Sequence, residues 1–147
     1  VVASRKAPSG LARFPVRAAV AGLFSVASLA ATLGGLGNSA LAQAQSAVDR
    51  RDVERALDEA ERARVLMPWS GRPWLARGEA EFAAGDPLAA AESFRRSIEI
   101  DERDWRAWLD LAIATEGPQR ARALARARRL YPRSTEIART ADIPTAG

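Results

Sequence analysis

Carboxylates, guanidinium groups and hydroxyls carry whatever chemistry this sequence can do, because its 147 residues include neither histidine nor cysteine. That excludes a thiol nucleophile, an imidazole base, a disulfide framework and a zinc site of the usual ligands. Asp101, Glu102 and Asp104 form an acidic loop between helices. Calcium binding or general-acid work would use such a group, but the turn glycine of a calcium loop is missing, so it reads as a solvated connector. Arg122, Arg126, Arg129 and Arg133 recur at spacings of four, three and four. Such a stripe could meet an anionic polymer, an acidic lipid or nucleic acid. No aromatic stacking platform is interleaved with it, which disfavours nucleic acid, and it reads as the solvated face of a last helix. Gly34-Gly35-Leu36-Gly37 follows no strand and sits in an apolar run, so it does not cradle phosphate. No catalytic constellation emerges, and the expectation is a non-enzymatic chain without cofactor or metal.

The elements that must position these residues divide by charge. The net charge of +4 resides in residues 1–42, where Arg5, Lys6, Arg13 and Arg17 face no acid. Residues 43–147 balance 18 arginines against 18 acids. From Ala18 to Ala42 no residue is charged. Twenty-five residues suffice to cross a bilayer, which needs about 20. The run is only modestly apolar, since 12 of the 19 positions from 18 to 36 are Ala, Gly, Ser or Thr. Two expectations stand. Residues 18–42 are a transmembrane helix, or they are a signal peptide cut after the Ala40-Leu41-Ala42 triplet. Both keep the basic flank, residues 1–17, inside and send the remainder out of the cytoplasm. The result is a single-pass membrane protein, or a periplasmic or secreted one after cleavage. The Val-Val start is compatible with a fragment of a larger membrane protein, a processed product or a literally translated alternative start codon.

Beyond the apolar run the pattern repeats. Trp74 and Trp108 stand 34 residues apart, as do Pro68 and Glu102. Within residues 71–104, Trp74, Gly78 and Phe82 recur every four positions, and Ala90, Phe94 and Ser97 follow at helical spacing. Between them Gly85-Asp86-Pro87 ends one helix and starts the next, with Asp86 as N-cap and Pro87 at the first helical position. Small residues at Gly78 and Ala90 let the two antiparallel helices approach closely. These residues resemble the tetratricopeptide repeat (TPR) family, whose 34-residue helix–turn–helix unit reads Trp, Gly, aromatic, Gly-Asp turn, Ala, aromatic, Ala, Pro. The unit departs at Ser97, where alanine is usual, at Glu102, where proline is usual, and at Phe82, displaced by one position.

The resemblance implies an all-α fold, a short solenoid of two to three helical hairpins over residues 43–133. Downstream, Trp108, Leu111, Ala112, Leu124, Ala127, Leu130 and Pro132 fit another unit whose turn at Glu116-Gly117-Pro118 is about four residues short. Upstream, Ala56, Ala60, Ala63, Leu66 and Pro68 fit a second helix, whose first-helix partner runs roughly over residues 39–49. Residues 134–147 hold a short capping helix and a tail. Trp74 and Trp108 belong to the core, whereas Trp69 and Trp105 at the unit junctions either pack between repeats or form an exposed patch.

A TPR array lines its concave face with the first helix of each unit, and such a face accepts a peptide. The resemblance assigns partner binding to Arg72, Leu75, Glu79, Phe82, Arg106, Leu109, Asp110 and Ile113, with Gln45, Val48 and Asp49 from the first unit. The expected partners are a protein or peptide in that groove and the membrane through residues 18–42. A narrower resemblance spans residues 18–133. A single span, an Ala/Arg-rich unit ending Leu-Met-Pro-Trp-Ser, and a TPR ending Asp-Glu-Arg-Asp-Trp are similar to the C-terminal tail of bacterial O-antigen ligase-type polymerases. It implies an envelope location and an accessory or fragmentary role, with no catalytic residue to carry over.

Overall fold

The computed structural model describes the backbone of residues 16–141 and the side chains of residue 32 and residues 34–141. The expected basic stub over residues 1–17 and most side chains of the expected span lie outside these, as does the tail after residue 141. The chain divides into two compact units, Val1–Thr32 and Leu33–Gly147. Of the first, helical backbone is described from Val16. Among the described residues no helix is long and apolar enough to cross a membrane.

Seven helices are described: α1 (Val16–Asp49), α2 (Val53–Leu66), α3 (Arg72–Ala83), α4 (Pro87–Ile100), α5 (Trp105–Ile113), α6 (Gly117–Leu130) and α7 (Thr135–Ala141). Glycines 34, 35 and 37 lie within α1, not in a loop. The fold of the described residues is all-α, and each helix from α2 onward packs on the next in sequence. In the second unit, Ala40, Leu41 and Ala44 of α1 share a core cluster with Ala60 and Ala63 of α2, Met67 just after it and Ala76 of α3. The first helix of the array therefore draws on residues from the end of the uncharged run.

Two turns are built alike. Asp52 and Asp86, 34 positions apart, cap α2 and α4 by accepting from the backbone N–H of Arg55 and Ala89. The residue before each cap has positive φ: Gly85 at 84° and Arg51 at 60°. Asp52 N–H donates to the Ala47 carbonyl and Asp86 N–H to the Glu81 carbonyl, closing the preceding helix in the same way. The third turn departs. α4 and α6 begin at Pro87 and Gly117, thirty residues apart instead of thirty-four, and α5 has nine residues where α3 has twelve. Gly117 at φ 58° opens α6 without a side-chain cap.

The closest packing lies between α3 and α4. A Cβ added at Gly78 would collide with the buried Phe94 ring, so one of the two helices or the ring would have to shift. Beside it, the buried Glu81 carboxylate accepts from Arg77 Nε at 2.8 Å and from Ser93 Oγ at 2.6 Å, tying the two helices together. Trp74 is half-buried, with the Arg64 and Arg77 guanidinium groups each 5.7 Å from its ring centroid. Trp108 packs on both neighbouring clusters while its Nε1 donates to the Glu102 carbonyl at 3.0 Å. α7 closes the array by setting Ile137 against Leu109 and Ala127. Arg120 fixes it, donating to the carbonyls of Thr140 at 2.8 Å and Ala112 at 3.5 Å.

Ser97 occupies a position where the repeat pattern has alanine. Its Oγ is buried with no hydrogen-bond partner among the described residues. An orphan hydroxyl costs desolvation, so Ser97→Ala should raise unfolding free energy by about 1 kcal/mol. Gly78→Ala should lower it by roughly 1–3 kcal/mol. Arg51→Gly should raise it by about 0.5–1 kcal/mol, because the left-handed region penalises a Cβ by more than glycine loses in chain entropy. Urea denaturation followed by circular dichroism measures all three.

Candidate functional site

The groove is a consequence of register. α1, α3 and α5 place equivalent positions side by side at intervals of 34, so Asn38, Arg72 and Arg106 form one row and Leu41, Leu75 and Leu109 another. Arg72 Nη1 donates to Asn38 Oδ1 at 2.9 Å, linking the first two helices across the groove floor. A cavity of about 600 Å³ opens there between α1, α3 and the start of α5. Asn38, Gln45, Arg72, Glu79, Asp104 and Arg106 supply its polar wall, and Leu41 and Leu75 its apolar one. A second cavity of about 240 Å³ follows, an apolar cup of Val48, Phe82, Phe94 and Ile113. Glu79 lines both, and Asp110 stands at the rim of the second.

The structure thus brings Arg72, Leu75, Glu79 and Arg106 together with Gln45, and Glu79, Phe82, Asp110 and Ile113 together with Val48. Leu109 is not among them. It is 1% exposed and packs against Ala127 of α6 and Ile137 of α7. Asp49 is exposed, close enough to Glu79 to act on its charge. Asn38, Leu41, Ala42 and Asp104 join the first cavity without having been assigned to the groove from the sequence. The 34-residue spacing could have found Asn38 and Leu41, since they stand one unit before Arg72 and Leu75.

Electrostatics distinguish the two halves. Burial pushes the Glu79 carboxyl above the usual range, with Asp104 and Asp49 adding to the effect and Arg106 opposing it. Burial likewise raises Asp110 to about 7, reinforced by Glu79, Glu136 and Asp104 and opposed by Arg106. The apolar end of the groove therefore gains negative charge as pH rises through neutrality, whereas its other end carries the Arg72 and Arg106 side chains. Arg106 also lies over Trp105, 5.0 Å from the ring centroid.

The other candidates take structural roles. Asp101 Oδ1 accepts from Arg103 N–H and Asp104 Oδ1 from Arg106 N–H, so two members of the acidic loop cap backbone. Among the described residues no group of three His, Cys, Asp or Glu could hold a metal ion. Arg122, Arg129 and Arg133 are exposed and Arg126 half-buried on and after α6, a helix with no acid of its own. On α2 and α4, by contrast, Arg62, Arg64, Arg95 and Arg96 pair with glutamates of the same helix.

No family model and no curated protein matches the chain. Among solved structures it resembles the TPR domain of OM64 from Arabidopsis, with a TM-score of 0.64 at 17% identity. The match covers 74% of this chain and 93% of that one. At this identity the likeness shows the fold, a TPR array of helical hairpins.

Asp110 supplies a test of the groove's electrostatics. Its carboxyl holds in the folded chain a proton that the unfolded chain releases near pH 3.8. Its contribution to stability is therefore full below that pH and is lost as pH rises through about 7. Melting temperature should decline across this window, and Asp110→Asn should flatten the decline. Thermal denaturation at half-unit pH steps measures it.

Proposed function

We propose that this chain is a non-enzymatic protein-interaction module whose concave groove docks a partner segment and which residues 18–42 hold at a membrane, with the repeats outside the cytoplasm. The observation carrying the groove is its continuity: an apolar cup at Phe82 and Ile113 leads past Glu79 into a polar channel flanked by Arg72 and Arg106. An extended or helical segment with an apolar anchor followed by hydrogen-bonding groups suits such a channel. Phe82 and Ile113 are exposed, so their replacement alters the groove with little loss of core. Phe82→Ser combined with Ile113→Ser should abolish recovery of the partner from a membrane extract while helical content is unchanged. Equal recovery would remove the groove from consideration.

The membrane half rests on sequence. Four basic residues precede an uncharged run of 25, and positive flanks stay inside. Packing supports a retained segment over a cleaved one. Cutting after Ala42 would strip Ala40 and Leu41 from the first core cluster and Asn38 from its bond to Arg72. The mass of the product made in a secreting bacterial host decides, and the expected outcome is a chain that keeps residues 1–42.

A second reading is that the chain is an accessory tail or fragment of an O-antigen ligase-type envelope polymerase, as the loop sequences Leu66-Met67-Pro68-Trp69-Ser70 and Asp101-Glu102-Arg103-Asp104-Trp105 suggest. A frame rich in membrane spans upstream of Val1 in the genome would support it, and an in-frame stop there would remove it.

A further inference from the structure

One end of the array carries most of its exposed apolar surface. Among the described residues eight large hydrophobic side chains are exposed. Phe82 and Ile113 belong to the groove, and Leu88 stands apart at the start of α4. Of the other five, Val65, Trp69, Ile100 and Tyr131 lie where α2, α4 and α6 finish and the next helices begin, and Leu36 lies within α1 beside Gly37. Contacts confirm that this is a single edge. Gly37 abuts the Met67 side chain. Met67, Trp69 and Ile100 line one shallow cavity of about 330 Å³. Trp105 stacks on Tyr131 with ring centroids 5.1 Å apart. Trp69 is 60% exposed, an unusual state for a side chain of such apolar area.

We propose that this edge rests on the interfacial layer of a phospholipid bilayer, with Trp69, Ile100 and Tyr131 entering the headgroup–acyl boundary. Three features favour a bilayer over a protein partner. The anchors occur at successive helix-to-helix junctions, forming a row across the edge. Tryptophan and tyrosine rings suit a boundary that is apolar on one side and wet on the other. The uncharged run, which begins at Ala18 and continues past Ala42, enters the second unit at this same edge, passing Leu36 and Gly37. Arg133 is exposed beside Tyr131 and can reach a headgroup phosphate, while Asp101, Glu102 and Asp104 put acidic charge on the same edge, so anionic lipid has no advantage. Neutral lipid therefore suffices, and attachment should survive high salt.

The inference rests on the membrane reading above, and the test separates the two. The sequence has no cysteine, so Arg103→Cys and Ala84→Cys each give a unique labelling site, at the edge and at the opposite end. The full chain, labelled with an environment-sensitive fluorophore, is reconstituted with phosphatidylcholine vesicles, floated on a gradient and exposed to aqueous iodide. The expected result is flotation with both labels, with the label at 103 shielded and that at 84 quenched as freely as in buffer. Trp69→Ser with Tyr131→Ser should remove the shielding without loss of flotation or helicity, and Leu88→Ser should not. Flotation with the label at 103 fully quenched overturns the edge contact and leaves the anchor. Failure to float overturns both. Shielding at 103 already present without vesicles assigns the edge to a second copy or a protein and overturns the proposal.

Discussion

Close approach of helices with little between them governs this structure. Alanine fills the contacts of the first hairpin, where Ala40, Ala44, Ala47, Ala56, Ala60 and Ala63 are all buried. Small side chains bury little apolar area each, so stability has to come from short interhelical distance and dense packing. The second hairpin reaches the same end differently: Gly78 vacates the space that the Phe94 ring fills. Every other feature follows from holding that spacing over successive units. The aspartate caps and positive-φ residues reverse the chain at a fixed point, and the 34-residue register then aligns Asn38 with Arg72 and Arg106.

The middle unit was legible because its turn and its packing residues are of diagnostic types. Gly85-Asp86-Pro87, Gly78 and Phe94 each have a single plausible structural use. The first unit was harder to see, although its geometry is the same. Arg51 replaces the turn glycine and Ala60 replaces the aromatic, and both substitutions erase the pattern while the backbone keeps it. The shortened turn before α6 was visible from spacing alone. For the candidate groove, the 34-residue spacing set Arg72, Leu75, Glu79 and Arg106 on one face, and they line one cavity. Leu109 packs on Ala127 and Ile137 instead, a contact with α7 that periodicity within one unit does not contain.

Charge follows a parallel logic. α2 and α4 carry their own counter-ions, so their outer faces are locally neutral. The groove concentrates uncompensated groups instead: two arginines at one end and two carboxylates with raised pKa values at the other. Burial, not pairing, sets the protonation of the carboxylates, and a segment lying in the groove would deepen that burial. A ligand and a proton would then be thermodynamically linked there.

The single helix α7 changes what the array can become. A solenoid unit offers one open side to its successor, and stacking could continue from molecule to molecule. Here Ile137 occupies that side and Arg120 clasps the helix in place through two carbonyl groups. A further unit, or a second molecule stacking head to tail, would have to displace these contacts to reach that side of α5 and α6.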